Sequence, residues 1–139
     1  MQLAPLIQRI ATQIPTLRVV SAAASLEQAI GDLKNQFPVA YLLAPGERAN
    51  PNDTIGLISN RVEVSIPVLL GVRQVADMRG DQAFADMDTL RPSLKAALMN
   101  WEPATGYDPI EYAGGRLMYY QDGLLLWADE FKTAYYARY

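Results

Sequence analysis

Residues 58–72 read ISNRVEVSIPVLLGV, and their alternation decides the fold. Val62, Val64, Ile66, Val68 and Leu70 fall on one side of a strand, with Arg61, Glu63 and Ser65 on the other. Pro67 inside the run predicts a free edge or a bulge near that point. One continuous strand of this length spans about 46 Å at about 3.3 Å per residue. A compact domain of this size has a radius of gyration of only about 14 Å. Such a strand has to bend sharply or protrude. A protruding strand exposes backbone donors and acceptors, and a subunit of a larger assembly would supply their partners.

Upstream, residues 45–55 (PGERANPNDTI) combine glycine, two prolines, two asparagines and charges with no hydrophobic period, which predicts a loop. Residues 39–44 are apolar enough for a central strand. Ser25 and Gln28 form a capping-box pattern ahead of a helix with Leu26, Ile30, Leu33 and Phe37 on its buried stripe, closed by Pro38. Residues 17–20 predict a short strand. Within residues 1–14, Leu3, Leu6, Ile7, Ile10 and Ile14 make one apolar helix stripe, with Pro5 in the first turn and Pro15 as the stop.

Downstream, Gly80 and Asp81 precede a helical pattern carrying Phe84, Met87, Leu90, Leu94, Leu98 and Trp101. Pro92 predicts a kink or two shorter helices. Residues 110–112, 116–121 and 124–136 predict strands. Gly114-Gly115 and Asp122-Gly123 are turn signals, the second a two-residue hairpin. The reading is one α+β domain over residues 1–139, a mostly antiparallel sheet packed with helices and ending in a C-terminal β-hairpin.

Composition narrows the chemistry. The 139 residues carry a net charge of -3, so no broad cationic field favours nucleic acid. There is no cysteine and no histidine. Thiolate chemistry, the Ser/His/Asp arrangement and nearly all transition-metal sites are thereby excluded. No catalytic, cofactor or metal site is expected. Residues 1–14 lack the pattern of a signal peptide, and no stretch is long and apolar enough for a membrane span, so a soluble protein made in a cytoplasm is expected.

Several constellations invite a functional reading. Asp81, Asp86 and Asp88 could face a hard cation, but their spacing matches no calcium loop and a solvated helix face is the simpler account. Asn50, Asn52 and Asp53 read better as a turn held by Asx hydrogen bonds than as an oxygen-ligand site. Glu102, Asp108 and Glu111 are the only loosely clustered carboxylates for glycosidase chemistry. The late aromatics fit cross-strand packing for Trp127 and Phe131, and a subunit interface for residues 135–139. Arg48, Arg61, Arg73 and Arg79 could each pair with a neighbouring subunit, although a surface pair contributes only about 0–1 kcal/mol.

The order of these segments resembles the phage tail terminator proteins. Residues 38–45 (PVAYLLAP) lead into Gly46-Glu47-Arg48-Ala49 and an asparagine-rich loop. Residues 61–73 look like the family's long strand, and residues 90–103, ending LMNWEP, like its helix and exit turn. Gly114-Gly115-Arg116-Leu117, followed by Trp127, Phe131 and Tyr135, resembles its terminal hairpin. One departure is Asn100, where a glycine before the tryptophan would fit better, though asparagine also adopts helix-end geometry.

The resemblance implies a ring of six subunits at the head-proximal end of a tail, assembled in the host cytoplasm. Its partners would be further copies of itself, the tail tube protein and a head-completion or neck protein, with no membrane and no sequence-specific nucleic acid. Candidate interface residues are Arg48, Asp53, Arg61, Arg73, Tyr135 and Tyr136. Alternatives are a head–tail joining subunit and a glycan-binding module built on the tyrosines; an enzyme comes last.

Overall fold

The computed structural model describes residues 1–32, 36–74 and 81–139. In chain order they form α1 (Ala4–Gln13), β1 (Val19–Ala23), α2 (Leu26–Asp32), β2 (Val39–Leu43), β3 (Gly46–Ala49) and β4 (Ser59–Arg73). They continue with α3 (Asp81–Leu98), β5 (Glu111–Gln121) and β6 (Leu124–Arg138). The strands make one sheet in the order β1-β2-β4-β6-β5, with β3 beside β4. β1 and β2 run parallel across the α2 crossover, and the other pairings are antiparallel. The α+β class holds, as does the closing hairpin.

β4 is the spine. It pairs with β6 along its whole length, from Ser59 opposite Arg138 to Arg73 opposite Leu124. Its other edge is shared: β2 pairs with Val68 to Gly71 and β3 with Val62 to Ser65. Pro67, which has no N–H to give, sits in the gap between the two short strands. The expectation that this strand needs a neighbouring subunit for its backbone is therefore corrected: the chain pairs both of its edges itself.

The alternation of β4 sorts the core. Val64, Ile66, Val68 and Leu70 are at most 1 % exposed and pack under α1 and α3. Leu6 and Ile10 from α1 and Met87, Leu90, Leu94 and Leu98 from α3 fill that layer. Leu69 points to the opposite face, where a smaller cluster joins it to Ala29, Tyr41 and Leu126. Beyond that cluster the opposite face carries exposed Glu63, Glu130 and Lys132.

Several local expectations are altered. The loop at 45–55 contains β3, whose four side chains are all exposed, so backbone pairing alone makes it a strand. Gly114-Gly115 is no turn; it lies within β5 at a register shift between Tyr112 and Gly114. Asp122 and Gly123, with φ of 53° and 76°, do form the tight hairpin. In α2 the buried position is Ala29, while Ile30 is 40 % exposed; Phe37 lies outside the helix and Leu33 outside the described residues. The small alanine lets a short helix lie close to the sheet. α3 continues through Pro92 as one helix and stops at Leu98, so Trp101 is past its end, and Phe84 is 38 % exposed. Asn100 takes the left-handed φ of 62° just beyond this helix.

Leu94, fully buried between α3 and the sheet, tests the packing. Leu94→Ala should cost about 2–5 kcal/mol in urea unfolding, with the slope against denaturant unchanged.

Candidate assembly surfaces

Asp129 occupies an inward position of β6, two residues from Trp127 and two from Phe131, and is 0 % exposed. A lone carboxylate there would be very costly, but this one is fully engaged. The Arg91 guanidinium donates through Nε to Oδ2 (3.1 Å) and through Nη2 to Oδ1 (3.1 Å). The Tyr112 hydroxyl and Trp127 Nε1 each donate to Oδ1 at 3.0 Å. Arg91 also donates to the Tyr112 oxygen (3.0 Å) and stacks on the Trp127 ring at 4.3 Å. Gly115, opposite Asp129 in the register, makes room. A Cβ there would stand 2.7 Å from the Tyr112 hydroxyl and 2.8 Å from Trp127 Nε1, and closer still to Asp129. This cluster ties α3 to the terminal hairpin. Sequence reasoning missed it, although an aspartate at an inward position of an apolar strand was the available signal.

Toward the C-terminal end of β6 a second charged group lies at the surface. Asp108 is fixed by its N–H donating to the Ala134 carbonyl (2.9 Å) and its carbonyl accepting from the Thr133 hydroxyl (2.6 Å). Its carboxylate accepts from Arg61 at 2.6 Å. The guanidinium also lies over the Tyr136 ring at 5.6 Å, with Arg138 over the same ring at 5.0 Å. Hydrogen bonding to Asp108, then to Tyr136, raises the Arg61 pKa. Asp108 and Glu111 do line one open cleft of about 500 Å³, but each faces a cation, Arg61 and Lys132 respectively. Glu102 is not part of it.

The loop between β3 and β4 is held from within. Asn52 Oδ1 accepts from the Thr54 hydroxyl (2.7 Å) and from the Ser59 N–H (2.9 Å). Its amide nitrogen donates to the carbonyls of Thr54 and Leu57. The expected Asx turn is present, and it leaves Ile55 101 %, Leu57 55 % and Ile58 51 % exposed. Ile58 and Tyr139 exchange backbone hydrogen bonds beyond the Ser59–Arg138 pair, and Tyr139 is 97 % exposed, so this one end of the β4–β6 ladder presents large side chains to solvent.

The six candidate interface residues do not form one patch. Arg48 lies on exposed β3 opposite Glu63, and Asp53 on the loop. Arg61 and Tyr136 face each other across β4 and β6. Tyr135 points to the helix side, where it stacks with Tyr107 at 5.0 Å and donates to Glu47 at 3.3 Å. Partial desolvation and then Glu47 raise its phenol pKa. Arg73 stands at the far end of β4, while Arg79 lies outside the described residues. Among the described residues no three Asp or Glu side chains converge as a metal site; Asp86 instead accepts from Gln74 and Gln82.

The family model described as phage tail terminator protein matches residues 1–139. The chain belongs to the phage tail terminator family. No curated protein matches it. As a tail terminator family member it is a structural component of a phage tail and works in contact with other tail or head proteins. This terminator subunit thus combines a buried ionic tie midway along its strands with exposed apolar and charged residues at one end of the sheet.

Removing the tie has two expected signatures. Asp129→Ala leaves the Arg91 charge partly buried without its partner and should destabilise by on the order of 3 kcal/mol. The Tyr112 phenol is held above its ordinary value by burial and then by its bond to Asp129. A raised phenol contributes stability that is complete below the unfolded pKa near 10 and is lost as pH rises through the folded value. Tyr112→Phe should therefore flatten the alkaline fall in stability, measured as melting temperature between neutral pH and about pH 11.

Proposed function

We propose that this subunit assembles as a ring, of six copies, that caps the tail tube at its head-proximal end and offers a surface to the neck. The observation that carries the reading is the family match over the whole chain. Assembly would take place in the host cytoplasm, the whole chain acting as one domain. The function is structural, with contacts rather than catalysis as its chemistry.

The physical features support a docking role for the β3–β4 segment. β3 exposes one backbone edge and all four of its side chains. The loop after it is ordered by Asn52 before any partner arrives, so less conformational entropy is lost on docking. Arg48 and Asp53 are the charged contacts proposed there, with Arg61 and Tyr136 on the adjoining sheet face, Tyr135 on the helix side and Arg73 at the far end. An exposed strand edge next to a rigid loop suits a large protein partner better than a stacked sugar.

Electron microscopy of lysates in which this gene is disrupted tests the reading. Overlong tail tubes unjoined to heads are expected. Tails of normal length without heads would move the role to head–tail joining, and intact particles would remove the structural role. The double substitution Arg48→Ala and Asp53→Ala should lower the yield of joined particles while leaving the melting temperature unchanged.

A further inference from the structure

The sheet ends in two lateral edges, β1 on one side and β5 on the other, and among the described residues no strand pairs beyond either. Free edges are commonly blunted with charge or proline. β1 (VVSAA) has neither, and between Tyr112 and Gln121 β5 has one charge, Arg116. The register shifts of β5 follow Tyr112 and Leu117, which leaves Gly114–Leu117 as regular strand between them. Leu117 and Tyr119 there are 45 % and 36 % exposed.

The two edges match in direction and in level. β5 runs with β4, and β1 runs against it. Followed across the sheet pair by pair, Val20, Ala40, Leu70, Trp127 and Leu117 stand in one row. In the same way Ser21 is level with Arg116, Ala22 with Gly115 and Val19 with Tyr119. Members of a row share a face, so Val20 and Leu117 lie on the helix side and Ser21 and Arg116 on the other. A closed ring relates its subunits by rotation alone, which leaves each residue at its own height along the axis. With the strands along that axis, the β5 edge of one subunit meets the β1 edge of the next antiparallel, level and with matching faces. Two β5 edges could meet only across a two-fold axis, which closes at two copies.

We propose that Gly115–Leu117 of one subunit pairs antiparallel with Val20–Ala22 of a second copy, so that the sheet continues from subunit to subunit. Leu117 is then covered by Val20 on the helix side. Gly115 and Ala22 bring no bulk between the two backbones, and Arg116 stands beside Ser21 on the other face. The contact joins two different edges and is heterologous. It rests on the ring reading above and adds the surfaces that build it.

The natural chain has no cysteine, so introduced thiols report on this contact without background. Within one subunit the edges stand four strand spacings apart, about 19 Å at about 4.8 Å each, too far for a disulfide inside one chain. In particles of a phage that encodes the chain, Val20→Cys with Leu117→Cys, or Ser21→Cys with Arg116→Cys, should give a ladder of disulfide-linked multimers on a non-reducing gel after mild oxidation. Neighbouring antiparallel rows alternate between closer and wider spacing, so one of these two pairs has the closer one. Val20→Cys with Arg116→Cys, on opposite faces, should give monomer. Leu117→Glu should abolish multimers of the chain while its thermal melting stays unchanged. Rings visible in the particles without any cross-link from either level pair would overturn the contact and leave the ring standing. A dimer from Leu117→Cys alone would replace it with a contact between two β5 edges. Absence of any multimer of the unsubstituted chain after amine cross-linking of particles would sink the ring reading and this contact together.

Discussion

Fifteen consecutive residue pairs join β4 to β6 with no shift in register, from one end of the sheet to the other. Everything else is placed by that ladder. Because side chains alternate across a strand, a slip of β6 by one residue would move Phe131 from the helix side to the opposite face while Ile66 stayed in place. Burial of one face by α1 and α3 therefore fixes the register, and the register in turn fixes which residues reach each end. β2 and β3 share the remaining edge of β4, and Pro67 marks the boundary where neither requires a donor.

The ionic tie around Asp129 depends on this order. Its carboxylate is accommodated in the interior because Arg91 on α3, Tyr112 on β5 and Trp127 on β6 arrive at the same point and donate to it. A buried pair of this kind adds little net stability over an apolar replacement. What it adds is discrimination: a helix rotated by one position would present Pro92 or Leu90 to the carboxylate and leave it without a partner. The close approach of β5 is possible because position 115 is glycine.

The β4 alternation, the Ser25–Gln28 cap and the Asp122-Gly123 turn were legible because each is a local pattern with a local cause. The cap shows it directly: the Gln28 N–H donates to Ser25 Oγ at 3.1 Å, and the Gln28 side chain accepts from the Ala24 N–H at 2.6 Å. β3 was not legible, since four exposed side chains record nothing of a pairing made by the backbone. Gly114-Gly115 looked like a turn because glycine signals backbone freedom and does not say whether that freedom serves a reversal or a close approach. Asp129 was passed over for a similar reason: its partners lie on three elements, at sequence separations of 2, 17 and 38 residues. The candidate contacts were drawn from charge and aromatic content, which found Arg61 and Tyr136 as neighbours but gave no weight to exposed aliphatic residues such as Ile55.

The long ladder also gives the subunit a mechanical character. Hydrogen bonds between antiparallel strands run perpendicular to the strand axis. Tension applied along β4, from its loop end toward its far end, would shear the β4–β6 pairs side by side, so that many bonds must yield at once. Tension across the sheet would instead open them one after another. A subunit built this way is stiff along one direction and compliant in the other, and the stiff direction is the one that connects its two ends.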